Sequence, residues 1–289
     1  MNLAGFEKIA KYLALTLLLA GLGLIGWKRY INRADSLDAS KRSATTVEQP
    51  EAEDEVSTAL AASRKAVQLD PDNVEGWNEL GLLFLQTGEL VQAEEAFRKV
   101  LALAEAHEDK ENQAWAYGNL GIVYNIRRDL DKAEEMYRKA LALYETLSSK
   151  EGMASTYTNL GNVYVERGDL DRAEEMYRKA LELNEDLGHK EYMAADYGNL
   201  GLVYKTRGEL DKAEKMYRKS LKISEALGSK EGIAVNYANL GIVYAERGEL
   251  DKAEEIWRKS LSLYQEMGAM QHSGAKEVQQ WLDELARSQ

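Results

Sequence analysis

Four asparagines stand at equal intervals in this sequence: Asn119, Asn159, Asn199 and Asn239 are each forty residues from the next. An asparagine side chain offers one acceptor and two donors, so a ladder of them has the chemistry to hold another chain's backbone without reading its side chains. The plain alternative is that each amide bonds a neighbouring helix or loop carbonyl. Other residue types offer less. Adjacent carboxylates such as Glu134 and Glu135, or Glu174 and Glu175, point about 100° apart on a helix, a poor arrangement for acid–base work. Each has a basic partner four residues on, Arg138, Lys139, Arg178 and Lys179, and reads as a solvated ion pair worth roughly a few tenths of a kcal/mol. His107, His189 and His272 lack the close spacing of a metal site and read as loop residues. With no cysteine there is no disulfide, thiolate metal site or cysteine nucleophile. Gly21-x-Gly23-x-x-Gly26 matches a dinucleotide fingerprint by letter, but it lies inside an apolar run with no strand before it. No phosphate loop, nucleophile elbow or metalloprotease motif occurs. These residues point to binding, and away from catalysis, metals and cofactors.

The asparagines recur because the text around them does. Gly81, Gly121, Gly161, Gly201 and Gly241 keep the same step, and Asn159-Leu160-Gly161-Asn162-Val163-Tyr164 answers Asn199-Leu200-Gly201-Leu202-Val203-Tyr204. A chain of 289 residues suggests about two globules by length, but an internal repeat overrules that count. Only two prolines, Pro50 and Pro71, and 45% apolar residues predict an all-α chain. Ala, Leu, Glu, Lys and Arg recur at helical spacing without period-two alternation, which excludes propeller blades. A net charge of −12 argues against a nucleic-acid partner, since phosphate binding needs a positive footprint.

Within the period each unit runs aromatic, two residues, Leu-Gly, two residues, aromatic, then Ala and a further aromatic. The second unit has Tyr117, Leu120-Gly121, Tyr124, Ala133 and Tyr137; the first has Trp77, Leu80-Gly81, Phe84, Ala93 and Phe97; the fifth has Tyr237, Leu240-Gly241, Tyr244, Ala253 and Trp257. This pattern resembles the tetratricopeptide repeat, in five units spanning 74–113, 114–153, 154–193, 194–233 and 234–273. The resemblance implies an all-α, right-handed superhelical solenoid of antiparallel helix pairs, A and B. The family's unit is about 34 residues, so about six extra fall between helix B and the next helix A, near Gly188-His189-Lys190-Glu191 and Gly228-Ser229-Lys230-Glu231, and imply longer helices. In this the array looks like the lengthened repeats of kinesin light chains and related bacterial proteins, a likeness that carries no activity.

Counting Ala114 as the first position of its unit, positions 4, 7, 8 and 11 share one helix face, so Leu and the aromatics surround a Gly where the two helices close. Bulk at Gly161 is therefore expected to destabilise. Helix B is expected to open on Asp131-x-x-Glu134, Asp171-x-x-Glu174, Asp211-x-x-Glu214 and Asp251-x-x-Glu254, with carboxylates serving the free amides of the helix start. Gly88, Gly168, Gly208 and Gly248 suit a left-handed turn after helix A. Arg128 in the second unit would pay about 1 kcal/mol for it, which predicts an irregular corner.

Positions 2, 6, 9 and 13 lie opposite the packed face, and ordinary amphipathicity would make them polar. They carry a mixed stripe instead: Trp115, Asn119, Ile122 and Ile126 in the second unit, Ser155, Asn159, Asn162 and Glu166 in the third, Ala195, Asn199, Leu202 and Thr206 in the fourth, Val235, Asn239, Ile242 and Glu246 in the fifth. In tetratricopeptide arrays this face lines the concave groove, so the resemblance makes these stripes a candidate peptide channel. With helices about 9 Å apart and an extended chain advancing about 3.3 Å per residue, each rung would serve about three ligand residues. Trp115 is either an anchor for the ligand or packing against the preceding repeat. Glu75, Glu79, Glu166 and Glu246 share the face with no Lys or Arg at these four positions, which favours neutral, apolar or basic segments. The family's clamp for carboxylate tails is not expected, because position 5 holds Asn78, Gly118, Thr158, Gly198 and Ala238 where it requires lysine.

Tyr12 to Trp27 form a run of sixteen residues without a charge, between Lys8 and Lys11 on one side and Lys28, Arg29 and Arg33 on the other. This reads as a single-pass membrane helix within 1–30, short enough that its basic flanks must snorkel. A cleaved secretory signal is the competing reading, though Trp27-Lys28-Arg29 looks more like a stop-transfer flank than a cleavage site. Basic residues after the span lean the body toward the cytoplasm, with a periplasmic or secreted location as the alternative. Residues 31–52 have the composition of a tether, 53–73 of an N-terminal capping helix, and 274–289, with Trp281, Leu282 and Leu285, of a C-terminal cap. The sequence therefore describes a membrane-anchored scaffold that binds an extended peptide. Its alternative is a solenoid that assembles through its end faces or helix B ridges.

Overall fold

A computed structural model describes residues 52–288. The expected membrane segment, and all but the last residue of the expected tether, lie outside the described residues. Among the described residues there are twelve α-helices and no strand, and no helix long and apolar enough to cross a membrane. In chain order these are α1 (Ala52–Leu69), α2 (Val74–Thr87), α3 (Leu90–Ala106), α4 (Lys110–Ile126), α5 (Leu130–Thr146), α6 (Lys150–Arg167), α7 (Leu170–Leu187), α8 (Lys190–Thr206), α9 (Leu210–Ala226), α10 (Lys230–Glu246), α11 (Leu250–Glu266) and α12 (Ser273–Ser288). The chain divides into two compact units, residues 52–163 and residues 164–288, and the division falls within α6. In the first, α2 packs on α3, α3 on α4 and α4 on α5; in the second, α7 packs on α8, and so in sequence to α12.

The helix pairs close where the sequence placed glycine against an aromatic ring. A Cβ at Gly121 would lie 2.6 Å from the Tyr137 ring, and one at Gly201 2.6 Å from that of Tyr217. Both rings are buried, beside the buried Ala133 and Ala213. Side chains packed this tightly leave no room for a methyl group. The residues that lengthen each unit are helical. α4, α8 and α10 begin at Lys110, Lys190 and Lys230, one turn before the unit boundaries at 114, 194 and 234, whereas α2 lacks that turn.

Two local expectations are corrected. Helix B is not opened by an Asp-x-x-Glu box. The caps of α5 and α7 are Asp129 and Asp169, whose carboxylates accept from the amides of Lys132 and Arg172. Asp131 and Asp171 lie in the first turn. The corner after α4 is also regular. Arg128 keeps φ at 63°, and its amide and that of Asp129 donate to Asn125 and Tyr124 at 2.9 Å, as Gly208 and Glu209 do to Lys205 and Tyr204. The hydrogen bonds of the turn outweigh the strain of a side chain in left-handed backbone.

Glutamates on helix B join one repeat to the next. Glu174 of α7 accepts from Arg178 at 2.9 Å on its own helix, and from Tyr204 Oη of α8 and Arg207 just past its end, each at 2.5 Å. Arg207 also donates to Asp171 at 2.6 Å. Glu214 repeats the arrangement with Arg218, Tyr244 and Arg247, and Glu94 with Arg98, Tyr124 and Arg127. Partial burial opposes ionisation of these carboxyls, but the phenol and guanidinium hydrogen bonds outweigh it and hold all three down at about 2. The expectation that Glu174 and Arg178 form a solvated surface pair is thus corrected: the pair belongs to a clip between repeats. Glu175 and Lys179, at 2.7 Å, are the exposed pair the spacing predicts.

The described ends are covered by their neighbours. Ser63 of α1 donates to Glu79 of α2 at 2.9 Å. On α12, Trp281 lies 5.3 Å from Trp257 between ring centroids, and Leu282 and Leu285 are buried.

Candidate peptide-binding surface

The stripe residues are presented by helix A of each repeat, whose Gly-Leu-aromatic side is turned against helix B. In the first compact unit, residues 52–163, Asn119 is 8% exposed, and its Nδ2 donates to the Trp115 carbonyl one turn back at 3.0 Å. Asn159 is 7% exposed, forms no side-chain hydrogen bond with any described residue, and has its Oδ1 buried without a partner. Such an acceptor costs about 1–3 kcal/mol to leave unmet. Asn162 is buried and engaged within the protein. Trp115 is half-buried and meets Phe97 of α3 edge-on, with ring centroids 5.7 Å apart, so it packs on the preceding repeat. Ile122 is half-buried and Ile126 is exposed.

In the second unit Asn199 and Asn239 are both half-buried, and neither side chain bonds another described residue. Leu202 beside them is half-buried and Ile242 is buried. Among the described residues a few other buried polar atoms, such as Asn78 Oδ1 and Tyr264 Oη, likewise lack a partner. Polar groups between helices B and A are satisfied by contrast: Ser220 and Ser260 donate to the Ala194 and Ala234 carbonyls at 2.8 and 2.7 Å, and Asn184 donates to Asp196 at 2.7 Å.

One buried cation on helix A escaped the sequence reading. Lys205 of α8 is 9% exposed. Burial lowers its pKa from the usual lysine value, and the charge of Glu246 on α10 works against that shift. The count of groove charges at positions 2, 6, 9 and 13 passed over it because it occupies position 12. The signal was its place in the series Leu85, Asn125, Val165, Lys205 and Ala245, where it is the only cation. The histidines are peripheral. His107 and His189 flank helix ends, and His272 stacks on Tyr264 at 5.5 Å.

The tetratricopeptide repeat model matches residues 73–146, 152–226 and 192–266. The chain belongs to the tetratricopeptide repeat family. Solved structures share the fold. BtubC (BKLC) from P. vanneervenii is 25% identical with a TM-score of 0.64, covering 74% of this chain and 90% of that one. A kinesin light chain candidate of Podosopora anserina, with nearly identical TPR-like repeats, is 16% identical with a TM-score of 0.59 over 68% of this chain and 97% of its own. A signal transduction ATPase with numerous domains from Pyrococcus horikoshii, bearing a tetratricopeptide repeat sensor, is 20% identical with a TM-score of 0.67 over 75% of this chain and 33% of its own. No curated protein matches the chain. The tetratricopeptide fold is one that serves protein–protein interaction.

Proposed function

We propose that the protein is a membrane-anchored scaffold whose helix A stripes grip an extended peptide segment of a partner, mainly through its main chain. The observation that carries this reading is the state of the asparagines: Asn159, Asn199 and Asn239 are half-buried or buried and bond no other described residue. A buried acceptor such as Asn159 Oδ1 is ordinarily satisfied, the half-buried amides of Asn199 and Asn239 can exchange water for a ligand, and a peptide backbone supplies the matching donors and acceptors. Ile122, Ile126 and Leu202 add apolar surface beside the amides. Anchoring rests on the uncharged run Tyr12 to Trp27 and its basic flanks. The reading assigns no catalytic step. Self-assembly through the C-terminal end face is disfavoured by α12, whose Trp281 covers Trp257.

The test is co-purification from native membranes with full-length wild-type protein and with the Asn159→Ala, Asn199→Ala double variant. Partners held by the stripe are lost from the variant while its thermal melt is unchanged. Recovery of the same partners by both baits would refute the reading.

A further inference from the structure

Lys205 is a charged side chain that neither the repeat architecture nor the asparagine ladder uses. It is nine-tenths buried on α8 and forms no hydrogen bond or ion pair with any described residue. The adjacent cations of the same helix ends are held differently: Arg207 lies 2.5 Å from Glu174 and 2.6 Å from Asp171, and Arg247 2.5 Å from Glu214 and 2.6 Å from Asp211. Packing does not require a lysine here, because the equivalent places hold Leu85, Val165 and Ala245. An ammonium carries three donors, and taking it out of water without a partner is costly. The carboxylate whose charge reaches it, Glu246, stands beyond ion-pair distance and is exposed. Lys205 thus sits beside the stripe that holds Asn199 and Leu202 as a cation with its hydrogen-bonding capacity open.

We propose that Lys205 is a specificity residue of the second unit, binding the side-chain carboxylate of an Asp or Glu in the peptide that lies along Asn199 and Asn239. This rests on the peptide-binding reading above and revises its charge preference: in the second unit the stripe accepts an acidic residue. A carboxylate is the fitting occupant because a charge-assisted hydrogen bond in a water-poor site offsets the desolvation of both groups better than a neutral carbonyl does. Glu246 acts against it, repelling the incoming charge and confining it to the Lys205 side.

Random ten-residue peptides, acetylated and amidated so that only side chains carry carboxylates, are selected on the full chain in detergent. The same selection is run on Lys205→Met, which keeps the buried stem and removes the charge. Wild type is expected to enrich Asp or Glu at one peptide position, and Lys205→Met is not. Replacing that Glu by Gln in a selected peptide weakens binding to wild type about tenfold and leaves binding to Lys205→Met unchanged within about twofold. Glu246→Gln strengthens binding of the acidic peptide about two- to threefold, a gain that damaged folding would not produce. If Lys205→Met loses its cooperative melt, the Glu-to-Gln peptide and Glu246→Gln decide the matter. Peptides selected alike by both proteins, with no acidic position, would overturn the Lys205 site and leave the peptide-binding reading standing. Selection of no peptide by either protein would overturn both.

Discussion

The helix B flank and the helix A stripe both carry polar residues at forty-residue intervals, and they end in opposite states. On the flank, Glu94, Glu174 and Glu214 each accept from a tyrosine and an arginine of the next repeat as well as from their own helix. On the stripe, Asn159, Asn199 and Asn239 bond nothing among the described residues. A shared period therefore marks a shared place in the repeat, and the geometry between repeats decides whether a polar set is consumed by the architecture or left for a ligand. An array in which neighbours contribute most of the stability must use one set in the first way and can keep the other for the second.

The largest effect that would sharpen this contrast is expected in acid. Glu94, Glu174 and Glu214 are held at about 2, below the ordinary 4.5. A carboxyl depressed on folding stabilises the protein fully above its unfolded value and loses that contribution as pH falls toward the folded one. The contribution of these three glutamates, measured by denaturant melts, should thus be flat above about pH 5 and fall between about 4.5 and 2, by on the order of 1–3 kcal/mol per glutamate. The stripe amides do not titrate, so the Glu214→Gln variant should show a shallower acid limb and the Asn199→Ala variant the same limb as wild type.

Two glycines on α4 make the next comparison, three residues apart with one substitution. A Cβ at Gly121 meets the Tyr137 ring at 2.6 Å, whereas at Gly118, on the stripe side, nothing lies within 4 Å. Gly121→Ala should cost about 2–3 kcal/mol from overpacking. Gly118→Ala should add about 0.5–1 kcal/mol from helix propensity. Thermal melts of both would show opposite signs, and like signs would mean that the pair is not closed on glycine. At neutral pH, Glu214→Gln should cost about 2 kcal/mol, since it weakens hydrogen bonds to Arg218, Arg247 and Tyr244. The smallest effect belongs to the corner after α4, where Arg128→Gly should add about 0.5–1 kcal/mol by relieving left-handed strain.

The helix pairs, the glycine–aromatic closure and the left-handed glycines after helix A were legible because each rests on residues within one unit, where helical spacing computes who meets whom. Glu174 was not, since counting four residues along α7 finds Arg178 but cannot see Tyr204 and Arg207 arriving from α8. The Asp-x-x-Glu openings looked like capping boxes for the same reason. Glu174 and Glu214 are taken by the next repeat, and Asp129 and Asp169 cap α5 and α7. Arg128 showed that a turn's hydrogen bonds can hold a residue whose own preference is against it. Lys205 was passed over because only the four stripe positions were counted, and its burial appears only once the neighbouring helices are packed. Trp115, legible as aromatic and well placed, proved to be spent on Phe97.

Peptide binding here requires that open amides on the stripe grip another chain's backbone. The direct measurement is the dissociation constant of a peptide selected on the full chain, compared between wild type and Asn159→Ala by calorimetry. Binding about tenfold weaker in the variant, with an unchanged melting temperature, is the predicted result. Equal affinity for the two proteins would contradict it.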